Sequence, residues 1–432
     1  MKFQPPRGTR DFLPEEMIAR QKVLEVVRKN FELFGFQPLE TPALESWDIL
    51  SAKGAGGPEI LKETYNFEDQ AKRRIGLRYD LTVPLARVMA DNPSLQLPFK
   101  RYQIEKVWRY GDVTKARFRE FLQADIDTIG SDSMAADAEV IACAISTFVG
   151  LGFDKFVVRI NSRKVLNAIS EYAKIPEGKT SGALIAIDKL DKIGMEGVGR
   201  ELNELKLTEE SIKLVLDFIK TGGKPAEMLS KATKVLGNIP EGKKGIAELK
   251  ELIAYLKKMN IKPKFRIDFS LARGLDYYTG PIFEVFAEEG IGSIAGGGRY
   301  DKMIGVFSGK DVPAVGISLG IERVIEVMKE RKMIKPVKTK TKVFVASVDD
   351  AVRGNVMETV QELRSNGIAA DFDLRGRGLG KQLEYVNGLG IPYAVIIGKK
   401  ELLIKKLKVR DMAKGEEKEV RMSELVKFFR RV

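Results

Sequence analysis

The start of the chain carries a hydrophobic pattern that predicts a helix followed by an extended segment. Pro14 and the two glutamates after it suit a first helical turn, and Gly35 marks the end of the helical pattern. Between them, one apolar stripe recurs at helical spacing, made of Val23, Val27, Phe31 and Phe34. Residues 36–42 contain two prolines. This favours the edge of a sheet or an interface over a central strand.

Residues 101–109 and 120–129 predict two β-strands joined by residues 110–119. In the second strand, Gln123, Asp125 and Asp127 fall on one face, and apolar residues alternate with them on the other. A row of polar and acidic side chains is costly to bury without partners. We therefore expect this face to line a cleft, and the alternative is a sheet surface that faces solvent.

The pattern changes twice further along the chain. Residues 165–260 become helical and rich in lysine, glutamate and glycine, which predicts an insertion before a sheet that resumes at Phe265. Residues 335–340 read as a linker. Strand and helix patterns then alternate, which predicts a compact and mostly parallel α/β domain. The predicted segments are strand 342–347, helix 351–366, strand 369–373, helix 380–389 and strand 393–397.

Composition limits the chemistry that the chain can perform. A length of 432 residues with 44% hydrophobic content predicts two or three domains. Cys143 is the single cysteine, which excludes an internal disulfide framework and a cysteine-clustered zinc site, and it reads as a core residue. The chain has no histidine, so serine–histidine triads and histidine-ligated zinc are excluded as well. Catalysis must then rest on positioning, charge stabilisation, or proton transfer by carboxylates or substrate.

Hydropathy and charge indicate location and partners. No apolar run approaches the length of a membrane span, and the first residues lack a signal-peptide pattern, so we expect a cytoplasmic protein. The net charge is +13. Residues 331–432 hold 23 lysines and arginines against 13 acidic residues, so most of the excess lies there. This favours a polyanionic partner such as nucleic acid, and the alternative is a generally lysine-rich surface.

Three glycine-rich segments each carry an arginine, in residues 272–280, 296–301 and 316–323. Arg273, Arg299 and Arg323 thus stand on backbone that glycine allows close to a ligand. Guanidinium groups match phosphate with two parallel hydrogen bonds. The three segments together predict a clamp for an anionic ligand.

The motifs resemble those of the histidyl-tRNA synthetases, a family of class II aminoacyl-tRNA synthetases, and the resemblance covers nearly the whole chain. Residues 77–84 and 273–278 are similar to the family's two histidine-site signatures, and residues 297–301 to a third element. The three class II motifs also have counterparts. Motif 1 resembles residues 36–45, motif 2 resembles 108–121 and motif 3 resembles 316–323.

The resemblance implies an α+β catalytic domain, in which helices flank an antiparallel class II sheet, with a helical insertion and a C-terminal α/β anticodon-binding domain. The corresponding division is 1–164 with 261–332 for the catalytic domain, 165–260 for the insertion, 333–341 for the linker and 342–432 for the anticodon-binding domain. It also implies a homodimer built around motif 1.

The resemblance implies a two-step reaction. Histidine and ATP, with Mg²⁺ expected beside the ATP, would give histidyl-adenylate, and the histidyl group would pass to the terminal adenosine of tRNA. Arg109 would hold the α-phosphate and Arg273 would act beside it as the second catalytic residue. The rest of the ATP site would comprise Arg323, Gly320 and Arg119, although Lys115, Arg117 and Arg119 suit either ATP phosphates or the tRNA acceptor end.

The resemblance also implies a histidine pocket. Asp80 would bind the α-ammonium group, with Leu81 and Thr82 beside it, and Gln123 would contact the histidine from its strand. Asp127 would face the imidazole, although a strand aspartate can equally pair with a neighbouring arginine. Tyr277 and Tyr278 would shape the pocket. The sequence departs from the class pattern at Gly111, where many members have a glutamate for adenine, and at Ser318, where the pattern has glycine.

Three other functions compete with this interpretation. A regulatory subunit of ATP phosphoribosyltransferase that is similar to these synthetases would bind histidine without charging tRNA. Another class II synthetase, for proline, threonine or glycine, would share the terminal domain but not residues 273–278. A simple RNA-binding module would explain the positive charge, but not the set of arginines that resembles an ATP site.

Overall fold

The structure is a computed structural model that describes residues 3–52, 58–114, 116–220, 223–261, 264–272, 277–287, 292–334 and 336–432. The chain forms two compact units. The first comprises Met1–Arg10 and Val23–Met333, and the second comprises Asp11–Lys22 and Ile334–Val432.

An eight-stranded sheet dominates the first unit, and a three-stranded sheet stands beside it in the same unit. The strands are β1 (Gln37–Pro38), β2 (Leu44–Ser46), β3 (Asn66–Glu68), β4 (Arg74–Leu77), β5 (Phe99–Trp108), β6 (Glu120–Ile129), β7 (Phe156–Ser162), β8 (Phe265–Ile267), β9 (Pro281–Ala287), β10 (Ser293–Arg299) and β11 (Ala314–Gly320). The order in the large sheet is β1-β5-β6-β11-β10-β9-β7-β8. Its inner pairs are antiparallel, and only the two outermost pairs are parallel.

Helices pack around the sheets of the first unit. They are α1 (Pro14–Leu33), α2 (Trp47–Leu50), α3 (Pro58–Lys62), α4 (Thr82–Asp91), α5 (Met134–Gly150), α6 (Arg163–Tyr172), α7 (Glu177–Asp188), α8 (Leu190–Glu204), α9 (Glu209–Ile219), α10 (Pro225–Leu236), α11 (Pro240–Lys258), α12 (Gly305–Ser308) and α13 (Ile321–Glu330). α1 has residues in both units. The predicted helical character of residues 165–260 is confirmed, and so are the helix from Pro14 and the sheet-edge position of Pro38.

Glycine is required where β10 and β11 cross the middle of the large sheet. Gly298 pairs with Gly316. A Cβ on Gly316 would lie 1.9 Å from Asp127 Oδ1, and one on Gly297 would lie 2.0 Å from the Gly316 carbonyl oxygen. Both distances are far inside van der Waals contact. These glycines therefore serve the packing of the sheet itself, whereas the sequence suggested that they admit a ligand.

The second unit is built on a five-stranded sheet with the order β13-β12-β14-β15-β16. The strands are β12 (Val343–Ser347), β13 (Ala370–Phe372), β14 (Tyr393–Ile397), β15 (Lys406–Asp411) and β16 (Glu417–Arg421). The helices are α14 (Arg353–Ser365), α15 (Leu379–Leu389), α16 (Lys399–Ile404) and α17 (Leu425–Arg431), with 3₁₀ turns at Asp350–Val352 and Met422–Glu424.

Apolar residues cover both faces of this sheet. Val343 and Val345 belong to one buried cluster, and Phe344 and Ala346 belong to another. The predicted α/β alternation is confirmed for β12, β13 and β14, which pair in parallel. It is incomplete beyond them, because β15 and β16 add an antiparallel hairpin that the sequence analysis did not predict.

Candidate active site

A cleft of about 310 Å³ opens on the large sheet of the first unit. Its floor comes from β6, β10 and β11, and its walls come from the residues just before α4, the segment after β5 and the start of α13. The described lining residues are Asp80, Thr82, Arg109, Ala116, Arg117, Phe118, Phe121, Gln123, Asp125, Tyr277, Tyr278, Ser293, Ile294, Ala295, Gly296, Ser318, Gly320, Glu322 and Arg323. The sequence analysis placed eight of these in the site, namely Asp80, Thr82, Arg109, Gln123, Tyr277, Tyr278, Gly320 and Arg323.

Two arginines line the cleft from different elements of the first unit. Arg109 follows β5, donates from Nε to the Tyr79 carbonyl oxygen at 2.8 Å, and lies over the Phe121 ring at 5.4 Å from its centroid. Arg323 stands in the first turn of α13 and donates from Nη1 to the Ser293 carbonyl oxygen at 2.7 Å. These hydrogen bonds fix where each guanidinium lies on the wall, so the cleft has two positioned cations.

The other sequence-predicted cations differ in their positions relative to the cleft. Arg119 is outside the cleft lining, where it stacks on Tyr110 at 3.7 Å and donates to the Gly111 carbonyl oxygen at 3.3 Å. Arg117 lines the cleft and pairs with Glu63 at 2.9 Å. Arg273 and Lys115 fall outside the described residues.

Arg299 does not belong to an anion clamp. It is 2% exposed and its guanidinium ion-pairs with the fully buried Asp137, which lies on α5. It also pairs with Asp301 at 3.2 Å and donates to the Ser131 carbonyl oxygen at 2.9 Å. Burial raises the pKa of Asp137 to about 6, although the charge and hydrogen bonds of Arg299 oppose the rise. The motif around Arg299 therefore supports the fold.

Asp80 is a buried carboxylate of the cleft lining. Its Oδ1 accepts a hydrogen bond from the Val83 backbone N–H at 3.1 Å, which holds the carboxylate at the start of α4. Burial raises the pKa of Asp80 to about 6, against the Val83 hydrogen bond and the positive charge of Arg109. Thr82 lines the cleft beside it. Leu81 is buried instead, and its carbonyl oxygen accepts a hydrogen bond from Arg101 at 3.1 Å.

The polar face of β6 divides between the cleft and the protein interior. Gln123 and Asp125 line the cleft, as expected for this face. Asp127 is not among the lining residues. It forms an ion pair with Arg101 at 2.7 Å and accepts a hydrogen bond from the Tyr300 hydroxyl. The structure shows the arginine pairing that the sequence left open, and the contact of Asp127 with the imidazole stays a prediction.

The two tyrosines form one aromatic wall. The rings of Tyr277 and Tyr278 lie 4.7 Å apart, and the Tyr277 ring lies 5.9 Å from that of Tyr300. The wall thus connects the cleft to the buried pair of Asp127 and Arg101.

Sequence reasoning missed several lining residues. Glu322 accepts a hydrogen bond from the Leu122 N–H at 2.9 Å and joins α13 to β6, and Ser318 accepts one from Gln123 Nε2 at 2.8 Å. Asp125 was placed on the correct face but was given no role. The alternation of β6 carried that signal, whereas the position of Ser318 opposite Asp125 depends on strand pairing.

The described residues offer neither a metal-binding cluster nor a membrane-spanning helix. No cluster of three or more acidic or cysteine side chains in the described ranges is arranged to hold a metal ion. None of the helices in that part of the chain is long and apolar enough to cross a membrane.

Comparisons with known proteins match this chain to one family. The family model for histidyl-tRNA synthetase matches residues 8–324, and the model for an anticodon binding domain matches residues 342–432. The histidine–tRNA ligase of Aeropyrum pernix is 40% identical over 432 residues, which cover 99% of this chain and 98% of that protein.

Comparison with solved structures gives the same family. The histidyl-tRNA synthetase of a Nostoc species has a TM-score of 0.89 and 33% identity, and the match covers 100% of this chain and 99% of that one. A Bacillus halodurans structure titled as an ATP phosphoribosyltransferase regulatory subunit/histidyl-tRNA synthetase shares the fold, with a TM-score of 0.75, 23% identity, and coverage of 87% and 94%. The full-length matches and the cleft together show that this chain belongs to the histidyl-tRNA synthetase family.

Proposed function

We propose that this protein is a histidine–tRNA ligase that activates histidine with ATP and transfers the histidyl group to the 3′-terminal adenosine of its tRNA. The observation that carries the proposal is a single cleft that is lined both by arginines and by buried carboxylates. An amino acid presents an ammonium group and a carboxylate, and ATP presents a chain of anionic phosphates. The cleft presents groups that match both kinds of charge in one continuous site.

The chemistry fits a protein without histidine. The amino acid carboxylate is already ionised at neutral pH, so its attack on the α-phosphate requires no general base. The barrier lies in bringing two anions together and in stabilising the charge that develops on the phosphoryl oxygens. Arg109 and Arg273 hold the α-phosphate in this proposal. Arg323, with Gly320 beside it and Arg119 nearby, serves the rest of the nucleotide, which enters as its Mg²⁺ complex.

Other residues of the same cleft form the amino acid site. Asp80 binds the α-ammonium group, Thr82 and the Leu81 backbone support it, and Gln123 contacts the substrate from the sheet. Tyr277 and Tyr278 enclose the side chain. A regulatory function without catalysis is less well supported, because Arg109 and Arg323 line the same cleft as the carboxylates.

The proposal extends to the organisation of the protein. The catalytic domain comprises 1–164 and 261–332, with the insertion at 165–260, the linker at 333–341 and the anticodon-binding domain at 342–432. The functional form is a homodimer built around residues 36–45. A tRNA substrate places the reaction in the cytoplasm.

A basic edge of the second unit is the proposed tRNA contact within this domain. β12, β13 and β14 are parallel, so their carboxyl ends meet at one edge of the sheet, where open α/β sheets bind ligands. Arg375 follows β13, and Lys399 and Lys400 begin α16 directly after β14. All three are exposed. This edge presents these three cations to solvent, and the exposed Asp349 and Asp350 follow β12 at the same edge.

We predict that changing Arg375, Lys399 and Lys400 together to glutamate raises the KM for tRNA by ~10-fold or more, because three attractions to phosphate become repulsions. Histidine-dependent ATP–pyrophosphate exchange is unaffected. The measurement is charging of purified histidine tRNA with labelled histidine, run beside charging of unfractionated tRNA. Lys414→Glu is the control, since this exposed lysine lies in the β15–β16 turn at the opposite edge. Equal charging by the triple variant and the wild type would contradict the tRNA contact, and charging of many unrelated tRNAs would contradict the function.

A further inference from the structure

A turn near the start of the chain packs against the segment that forms one wall of the cleft. This N-terminal turn comprises residues 6–10, and it is closed by two hydrogen bonds to the Pro6 carbonyl oxygen, from the Thr9 N–H at 3.0 Å and from the Thr9 hydroxyl at 2.7 Å. It belongs to the first unit, as the cleft does. The segment that it contacts, residues 117–121, supplies Arg117, Phe118 and Phe121 to the cleft lining. The turn therefore supports a wall of the site from outside the described lining.

Backbone hydrogen bonds connect the N-terminal turn to Arg109 through Arg119. The Gly8 carbonyl oxygen accepts from the Arg119 N–H at 2.8 Å, and the Arg119 carbonyl oxygen accepts from the Arg109 N–H at 2.9 Å. The second bond continues the pairing of β5 with β6 beyond Trp108 and Glu120, the last matched residues of the two strands. Because each bond fixes the separation of its two partners, a shift of the turn would also shift the backbone of Arg109.

Glycine is required at position 8 for two reasons. Its φ is +86°, a left-handed conformation that glycine adopts without steric cost. A Cβ on Gly8 would also lie 2.6 Å from Arg119 Cγ and 2.9 Å from Arg119 Cβ. These atoms are the root of the Arg119 side chain, whose guanidinium stacks on the Tyr110 ring at 3.7 Å. A side chain at position 8 would therefore displace Arg119 from this position.

Arg10 contacts the same wall through a side chain. Its guanidinium carbon lies 4.3 Å from the centroid of the Phe118 ring. A cation over an aromatic face at this distance is attracted to the ring. Because Phe118 also lines the cleft, Arg10 holds an aromatic residue of the site in place.

We propose that the N-terminal turn positions the wall of the cleft that receives ATP. Gly8 sets the backbone of Arg119 and, through it, that of Arg109. Arg10 holds the Phe118 ring on the same wall. The proposal rests on the proposed function and adds Gly8 and Arg10 to that site as positioning residues. Both act through other residues, so changing either one should impair the use of ATP more than the binding of histidine.

Gly8→Ala and Gly309→Ala form a matched pair of variants. Gly309 lies in the same unit and also has a positive φ, +73°, but a Cβ there would meet no described atom within 4 Å. Both substitutions strain the backbone, and Gly8→Ala alone also forces Arg119 to move. We expect Gly8→Ala to lower kcat/KM for ATP in histidine-dependent ATP–pyrophosphate exchange by ~10-fold or more, because small misplacements of a catalytic group are costly. Gly309→Ala should stay close to wild type.

Arg10 provides an independent pair of variants. We expect Arg10→Ala to lower kcat/KM for ATP by ~3-fold or more, because the Phe118 ring loses the cation that holds it. Arg10→Lys should recover part of this loss, since an ammonium group keeps the charge over the ring but not the planar stacking of a guanidinium.

Binding of each substrate alone, measured by calorimetry, separates positioning from general destabilisation. Gly8→Ala should raise the Kd for ATP and leave the Kd for histidine near its wild-type value, because the groups proposed for histidine stand at the start of α4, on β6 and just before β9. Equal values for ATP in Gly8→Ala and Gly309→Ala, or a parallel loss of histidine binding, would overturn the proposal. If Gly8→Ala does not fold, Arg10→Ala decides alone, and an unchanged kcat/KM for ATP overturns the proposal. A wild type that binds neither substrate would instead refute the proposed function.

Discussion

Replacing Arg109 with glutamine lowers the rate of histidine-dependent ATP–pyrophosphate exchange by about 10²- to 10³-fold, as expected for removal of a preorganised donor that faces developing charge. The guanidinium already lies on the cleft wall, held by the Tyr79 carbonyl oxygen and the Phe121 ring. Glutamine preserves part of the length and polarity of the side chain but removes the charge. The loss should therefore appear in kcat more than in the KM for histidine.

Two further variants sharpen this prediction. Arg109→Lys keeps the charge but not the planar fork, so we expect it to recover only part of the rate. Arg273→Ala should show a loss of at least ~10²-fold if Arg273 acts beside Arg109. Arg73→Gln is the control, because that side chain is 77% exposed and pairs with Asp69 outside the cleft lining. A rate for Arg109→Gln close to that of Arg73→Gln would remove Arg109 from the mechanism.

Replacing Arg299 with methionine lowers the free energy of unfolding of the first unit by about 3–5 kcal/mol at pH 8, because it leaves Asp137 buried without its partner. The pair is almost fully enclosed, with Arg299 2% exposed and Asp137 0% exposed. Chemical denaturation followed by tryptophan fluorescence measures the loss. Arg73→Met removes an exposed pair instead and should cost ~0–1 kcal/mol.

The loss depends on pH. The pKa of Asp137 is raised to about 6 in the folded wild type, above its value in an unfolded chain, so ionising it costs stability as pH rises from about 4 to about 6. Without Arg299 the pKa of Asp137 in the folded protein rises further. The stability that is lost when Asp137 ionises therefore continues to grow towards pH 8. The difference between variant and wild type should therefore be smaller at pH 5 than at pH 8. A second change, Asp137→Leu, should restore much of the stability, and failure to do so would contradict the assignment of Arg299 to the fold.

Local sequence patterns predict which strand and which of its faces form the site, but not which side chains pair with each other there. The alternation of residues 120–129 predicted both β6 and its polar face, because side-chain direction in a strand follows directly from sequence spacing. The same spacing treats Asp125 and Asp127 alike. Arg101 distinguishes them, because the register of β5 places it opposite Asp127, and no feature within β6 encodes that register.

Arg299 shows the same limit. Its glycine-rich neighbours resemble a ligand loop, yet the partner that fixes its role, Asp137, lies on a helix far away in the sequence. The hairpin of β15 and β16 was missed for a different reason. Residues 406–411 alternate charged and apolar side chains, as half-exposed strands do, but the charged residues of 406–421 are equally compatible with a solvated surface segment. Family resemblance supplied the roles of Asp80, Arg109 and Arg323, which local physical patterns alone would have left as one acid and two bases.

The central claim is that this cleft activates histidine with ATP, and the most direct measurement is ATP–pyrophosphate exchange with each of the twenty amino acids offered singly. The proposed function predicts exchange with histidine and only background with the other nineteen. Exchange with a different amino acid would contradict the assigned pocket. Histidine binding without any exchange would contradict the enzyme and favour the regulatory alternative.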